Sequence, residues 1–406
     1  MNTVLSHAEP TPADGLVLEL QPCPDPWTTC RQLADLPHLL FLDSARGGSL
    51  GRYSFLSVDP YAWLVDVPLD CLAEHLGPSE LPVPHLPPFQ GGLAGLWSYE
   101  LGQQLECVPR ARFNEFRLPT LAVGLYDLVL SWDHAANRGW LLSTGQPESG
   151  QARRSRAASR LHQMLAWLNR PSPLPRRHLL EPLVQPECYY PLQELVGSSF
   201  TPSGFRAAIQ AAIDYVHAGD CFQVNLAQRL LAPLKEHPLE LYGRLRQVNP
   251  APFAGYLDLG EQVVASASPE RFLQLSEGRV ITRPIKGTRP RGRTPAEDEQ
   301  ITRELQQSPK DRAENVMIVD LLRNDLGRVC RFGTVKVQSL CRLETYPTVH
   351  HLVSEVVGSL RAGHGPIDLL RATFPGGSIT GAPKVRAMQI IAELEPTVRG
   401  PYCGCL

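Results

Sequence analysis

Lysine is scarce in this chain. Nearly all its positive charge is arginine, and its only lysines are Lys235, Lys286, Lys310, Lys336 and Lys384. Where charge alone is needed, the sequence uses guanidinium. A lysine kept in a Gly/Pro-framed loop, as Lys286 is, points to amine chemistry that guanidinium cannot perform; a solvated loop lysine is the alternative. Long apolar runs are also missing. None reaches the roughly 18 residues that a bilayer-spanning helix needs, and the start, MNTVLSHAEPTPADG, lacks the basic-then-apolar pattern of a secretory signal. A basic excess is absent too: the formal net charge of −2 speaks against a general nucleic-acid or membrane-surface protein. The ten cysteines include no CxxC pair, and Cys403-x-Cys405 is too tight for ordinary zinc spacing. They read as reduced, mostly buried thiols of a cytoplasmic protein.

With 406 residues, 43% apolar and 20% charged, the chain can fill one large domain or two ordinary ones. Residues 1–14 read as a disordered start. LLFLDS (39–44) and GRYSFLSVDP (51–60) read as strands, and the Pro-rich 78–89 as a surface loop. Residues 118–142 alternate like a hairpin. Residues 152–169 form an amphipathic helix on Ala158, Leu161, Leu165 and Leu168, with an arginine face read as a solvated surface in preference to a nucleic-acid contact. A second Pro-rich tract marks the main boundary. The division expected is 15–170, a linker at 171–198, and 199–406.

Downstream, Thr201 caps a helix with Pro202 in its first turn and an apolar stripe of Phe205, Ile209, Ile213 and Val216. GDCFQVNLAQRL (219–230) alternates as a strand. Arg271–Leu275 and Arg279–Arg283 flank Ser276-Glu277-Gly278 as a β-hairpin, here expected to pair Leu275 with Arg279. That register would bring Glu270 and Lys286 to one face, and a one-residue slip would separate them. Thr294 and Ser308 cap two further helices. On the second, Glu314, Met317, Ile318 and Leu321 share a stripe, and a carboxylate there needs a partner: a metal, or an ion pair with Arg312 or Arg323. Asp320, Arg323 and Asn324 read as a scaffolding polar network. HHLVSEVVG (350–358) reads as a strand, with His351 as a lone strand histidine. GGSITGAPK (376–384) fails the phosphate-loop pattern and reads instead as a tight turn into a helix. Exposed N–H groups at Thr380, Gly381 and Ala382 could hold a carboxylate at that helix start.

SASPERF (266–272) and PIKGT (284–288) resemble the chorismate-utilising enzymes of the anthranilate synthase component I family. The resemblance runs over roughly residues 35 to 404 and includes the F-x-GG-x-x-G-x-x-x-Y run after Phe89. PIKGT places the chain on the aminodeoxychorismate synthase branch, since anthranilate synthases carry alanine at the position of Lys286. The resemblance implies an α+β fold of orthogonally packed, mostly antiparallel sheets flanked by helices. It implies amination of chorismate to 4-amino-4-deoxychorismate for para-aminobenzoate and folate. Lys286 would attack C2 and expel the C4 hydroxyl, Glu270 would be the general acid/base, and ammonia would then add at C4. A separate glutamine amidotransferase subunit would supply the ammonia.

The same resemblance assigns substrate contacts to Gly287, Thr288, Gln223, His351, Thr380, Gly381 and Ala382. It assigns Mg²⁺ to Glu314, and a tryptophan pocket to Asp43 and Ser44. From the residues alone, Gln223 is equally a solvent-facing strand residue and Ser44 a turn-bonding hydroxyl. Isochorismate synthases place a lysine base at the Gln223 position, so its absence argues against water as nucleophile. Relatives continue beyond the RGPYCGCL ending with strands and a helix that carry a Tyr, an Arg and a second carboxylate. Their absence is expected to expose strand edges and apolar surface, weaken Mg²⁺ binding and leave little turnover. The rivals are anthranilate synthase and a truncated, non-catalytic binding protein.

Overall fold

The computed structural model describes residues 8–11, 14–45, 47–48, 50–76, 83–171, 188–193, 195–346 and 348–406. Most of the expected linker, and residues 78–82 of the first Pro-rich tract, lie outside the described residues.

An eight-stranded antiparallel sheet runs in the order Glu9–Pro10, Leu16–Glu19, Arg138–Ser143, Leu128–Asp133, Tyr53–Ser57, Leu40–Asp43, Phe253–Asp258, Val263–Ser268. Strands from both expected regions therefore hydrogen-bond side by side, with Ala254 opposite Asp43. Leu33, Phe41, Trp132, Leu161, Met164 and Tyr242 fill the core against which the helices Pro26–Gln32, Gly150–Leu168 and Pro238–Val248 pack. A three-stranded sheet (Ala62–Val65, Leu121–Tyr126, Gly92–Trp97) contributes Ala94, Leu96, Ala122 and Tyr126 to a second core with Leu40 and Leu257. The expected 118–142 hairpin is thus divided. Leu128–Asp133 and Arg138–Ser143 pair as read, but Leu121–Tyr126 belongs to the other sheet. Asp127, fully buried at the crossing, accepts from Arg156 and Arg160 of the long helix. Part of the arginine face is therefore a buried ion-pair network and not a solvated surface.

A third sheet carries the site. Val349–Ser359 is its spine, with Lys336–Thr345 along one edge. Along the other edge lie Arg279–Thr282 and then Ile285–Pro290, interrupted at Pro284, which has no N–H to give a ladder. The hairpin register is Ser276↔Arg279 and Leu275↔Val280, one residue from the expected pairing. Glu277 (φ 50°) and Gly278 (φ 73°) supply the two left-handed residues of a two-residue turn, so Ser276 stays in the strand.

The helix Pro309–Gly327 packs on this sheet through Val319 and Leu326 against Val280 and Val356. The expected caps are made: Thr201, Thr294 and Ser308 accept from the backbone N–H groups of Gly204, Glu297 and Asp311.

Four further expectations fail. Residues 9–10 are a short strand, not disordered. The strand across 219–230 reduces to Gln223–Val224 and Leu230–Leu231, because each pairs with its partner over only two residues. The buried face of Pro309–Gly327 centres on Asn315, Ile318 and Leu322, leaving Glu314 half-buried at its margin. The stripe of the helix Pro202–His217 faces outward: Ile209, Ile213 and Val216 are exposed, and only Ala208 is buried.

Candidate active site

Glu270 and Lys286 come within Coulombic reach of each other. Both reach the same residue of a distant turn, Ser378. The Lys286 amine donates to the Ser378 carbonyl at 2.7 Å, and the Ser378 hydroxyl donates to Glu270 Oε1 at 2.9 Å. The Asn225 side-chain amide also donates to the Ser378 carbonyl, at 3.1 Å. Burial pushes the Glu270 carboxyl above the usual carboxylate range. The Ser378 hydrogen bond and the Lys286 charge act in the opposite sense and do not overcome it.

Local sequence explains how each group is held. Lys286 pairs with Leu352 and Thr288 with His351, so Gly287 is an extra residue that bulges the edge strand. Its φ of +76° is left-handed, and a Cβ there would lie 3.0 Å from Asp311 Cβ and 3.1 Å from Leu305 Cδ1. Bulges re-aim neighbouring side chains, and here the residue re-aimed is Lys286. One step along, Thr288 Oγ1 and His351 Nδ1 share a hydrogen bond of 2.8 Å, and the His351 ring lies edge-on to Tyr346.

The Ser378 turn is a short 3₁₀ segment, Gly377–Ile379, followed by Gly381–Ala382, which pairs with Gln223–Val224. Gly381 (φ +148°) touches that strand so closely that a Cβ would sit 2.1 Å from the Gln223 carbonyl. Thr380, Gly381 and Ala382 are all buried, contrary to the expected exposed N–H groups, and the Thr380 N–H is donated to the Gly377 carbonyl. The tighter 3₁₀ winding takes up that donor. Gln223 donates to Asn225 Oδ1 at 3.1 Å, while its own Oε1 is buried without a donor. A buried acceptor left unpaired costs about 1–3 kcal/mol, which a ligand donor would relieve.

Glu314 sits on the helix that packs against both Ile285–Pro290 and the Ser378 turn. Neither Arg312 nor Arg323 pairs with it: Arg323 bonds Asp320, and the Glu314 side chain has no hydrogen-bond or ion-pair partner among the described residues. Those residues contain no group of three or more His, Cys, Asp or Glu arranged to hold a metal. The oxygens fit Mg²⁺ only as one carboxylate of a shell completed by water and substrate. Asp43 and Ser44 lie apart, on the eight-stranded sheet. Asp43 accepts from Arg246 at 2.7 Å and Tyr242 at 3.1 Å, and Ser44 donates to the Tyr53 carbonyl, so both are already engaged.

Two groups of this region carried no sequence assignment. Ser378 looked like a turn residue between glycines. Lys384 is buried and donates to Asp325 at 2.6 Å and to the Thr373 carbonyl at 2.7 Å, fixing the start of the helix Lys384–Leu394. Burial depresses the Lys384 pKa and raises that of Asp325. Among the described residues no helix is long and apolar enough to cross a membrane, and all ten cysteines are free thiols.

The chain is 45% identical over 326 residues to an aminodeoxychorismate synthase component 1 of Klebsiella aerogenes, and 43% identical over 327 residues to an anthranilate synthase component 1 of Thermus thermophilus. The matches cover 80% and 79% of this chain and 66% of each relative, so the chain spans about two thirds of their length. The crystal structure of anthranilate synthase component I from Streptococcus pneumoniae superposes with a TM-score of 0.75 at 28% identity, covering 88% of this chain and 80% of that one. The model of the chorismate binding enzymes matches residues 64–406, and the chain belongs to that family.

Proposed function

We propose that the Lys286–Ser378–Glu270 cluster converts chorismate to 4-amino-4-deoxychorismate. The observation that carries the reading is the meeting of an amine and a carboxyl of raised pKa on one residue, Ser378. In the first step the Lys286 nitrogen bonds to C2 of chorismate through its lone pair. The two conjugated ring double bonds each move one position toward C4, and the C4 hydroxyl departs as water with the proton that Glu270 supplies. In the second step ammonia bonds to C4, both double bonds return, and the Lys286 amine leaves from C2. Glu270 takes back a proton from the added ammonium, so ammonia and chorismate balance against aminodeoxychorismate and water. A general acid works best with a pKa near the working pH, the direction in which burial moves Glu270.

Gln223, Gly287, Thr288, His351, Thr380, Gly381 and Ala382 are the proposed substrate contacts. The unpaired Gln223 Oε1 supports this role by offering an acceptor to a substrate hydroxyl or to ammonia. Mg²⁺, bound through Glu314, would tether the ring carboxylate of chorismate. A glutamine amidotransferase partner would supply ammonia, and the setting would be cytoplasmic para-aminobenzoate synthesis. Anthranilate synthesis is the second reading, favoured by the similarity to the Thermus relative. An amine at position 286 argues for the first.

The test is peptide-resolved mass spectrometry of the chain quenched after mixing with chorismate and Mg²⁺ without ammonia. A chorismate-derived adduct on the Lys286 peptide, lost in Glu270→Gln, is expected. An unmodified Lys286 under every condition would sink the covalent route.

A further inference from the structure

We infer that Arg399 is a positioning residue that locks together the backbone segments bearing Gln223 and Ser378, and thereby fixes the Lys286 amine; this rests on the reading of the Lys286–Glu270 site given above. The guanidinium is buried, with 5% of the residue exposed, and every nitrogen is used. Nε and Nη2 donate to the Glu395 carboxylate at 2.9 and 2.6 Å. Nη2 also donates to the Asn225 carbonyl at 2.6 Å, and Nη1 to the Ile379 carbonyl at 3.1 Å. Asn225 lies two residues from Gln223, and Ile379 directly follows Ser378.

The clamp is itself held from several sides. Glu395 Oε1 accepts the Ala227 N–H at 2.7 Å. Glu100 receives the Arg399 and Gly400 N–H groups at 2.7 and 2.9 Å. The guanidinium carbon stands 4.8 Å from the centre of the Tyr99 ring. Arg399 and Glu395 complete a two-pronged ion pair by themselves, and such a buried pair adds little net stability over an apolar pair of the same volume. The two bonds to main-chain carbonyls add geometry: a rigid planar fork spans two segments that both donate to or carry the Ser378 carbonyl, the acceptor of the Lys286 amine. Loss of the fork frees the turn, and the amine with it.

The test is lysine-resolved acetylation of the 406-residue chain with an N-hydroxysuccinimide ester, followed by mass spectrometry. In Arg399→Met, labelling at Lys286 is expected to accelerate by about tenfold, the equivalent of one lost hydrogen bond. Labelling at the buried Lys384 stays at the parent rate, which reports that the fold has not opened. Arg399→Lys keeps the charge pair with Glu395 but not the fork. It is expected to show the same acceleration at Lys286 with a melting temperature near that of the parent. An unchanged Lys286 rate in both variants, or acceleration shared equally by Lys384, overturns the inference. The readout needs no substrate. Accelerated labelling in a chain that never reacts with chorismate would therefore sink the proposed function and leave the clamp standing. Turnover with unaltered labelling would do the reverse.

Discussion

Replacing Ser378 with alanine removes the hydroxyl that donates to Glu270 at 2.9 Å. Burial is the largest influence on this carboxyl and raises its pKa; the Ser378 bond is the largest in the other direction, ahead of the Lys286 charge. A hydrogen bond to an ionised acceptor contributes about 1.5–3 kcal/mol. Since about 1.4 kcal/mol is a factor of ten, Ser378→Ala should tighten proton binding at Glu270 by roughly ten- to a hundredfold. The sign follows from linkage. A carboxyl whose folded pKa lies above its unfolded value costs no stability below the unfolded value, and the penalty grows as pH rises toward the folded one. Ser378→Ala should therefore lose more stability than the parent between mildly acidic and neutral pH. The assay is a pH titration of ¹³Cδ-glutamate-labelled protein by NMR, with Glu270→Gln to assign the resonance. Lys286→Met should raise the same midpoint by less. A Glu270 midpoint that stays or falls in Ser378→Ala would refute the electrostatic account of the site.

Other changes have defined outcomes. Gly287→Ala forces a left-handed φ on a residue with a Cβ crowded by Asp311 and Leu305. It should cost about 1–3 kcal/mol in urea denaturation, and an unchanged midpoint would mean the bulge is not required. Lys384→Met strands a buried carboxylate and should cost about 3–5 kcal/mol, most of it recovered in Lys384→Met/Asp325→Leu; additive losses in that double variant would contradict the pairing. Tryptophan at Asp43 would have to displace Arg246 and Tyr242, so calorimetry should detect no binding to the parent chain. Saturable heat lost in Asp43→Asn would show that the corner accepts the ligand after all.

Much of this was legible locally. Caps at Thr201, Thr294 and Ser308 depend on a hydroxyl and an N–H three residues away, and all three form. The turn is one residue shorter than the sequence suggests, because Ser276 also suits a turn while only two left-handed residues are needed there. Scarcity of lysine singled out Lys286, and the same scarcity marks Lys384, whose role is an ion pair with Asp325 across 59 positions that no local pattern announces. Ser378 was missed for the same reason, since its partners lie 108 and 92 residues upstream. Glu314 fell at the edge of its expected stripe because the buried face follows Asn315 and Ile318 instead. Periodicity gave Pro202–His217 its apolar face but could not say whether anything covers it.

The most direct measurement is product analysis by mass spectrometry with the chain in excess over chorismate, in the presence of Mg²⁺ and ammonium. The result expected is 4-amino-4-deoxychorismate without pyruvate, abolished by Lys286→Ala. Anthranilate with pyruvate, the same product from Lys286→Ala, or chorismate left unchanged at every protein concentration would contradict the assignment of Lys286 as the nucleophile.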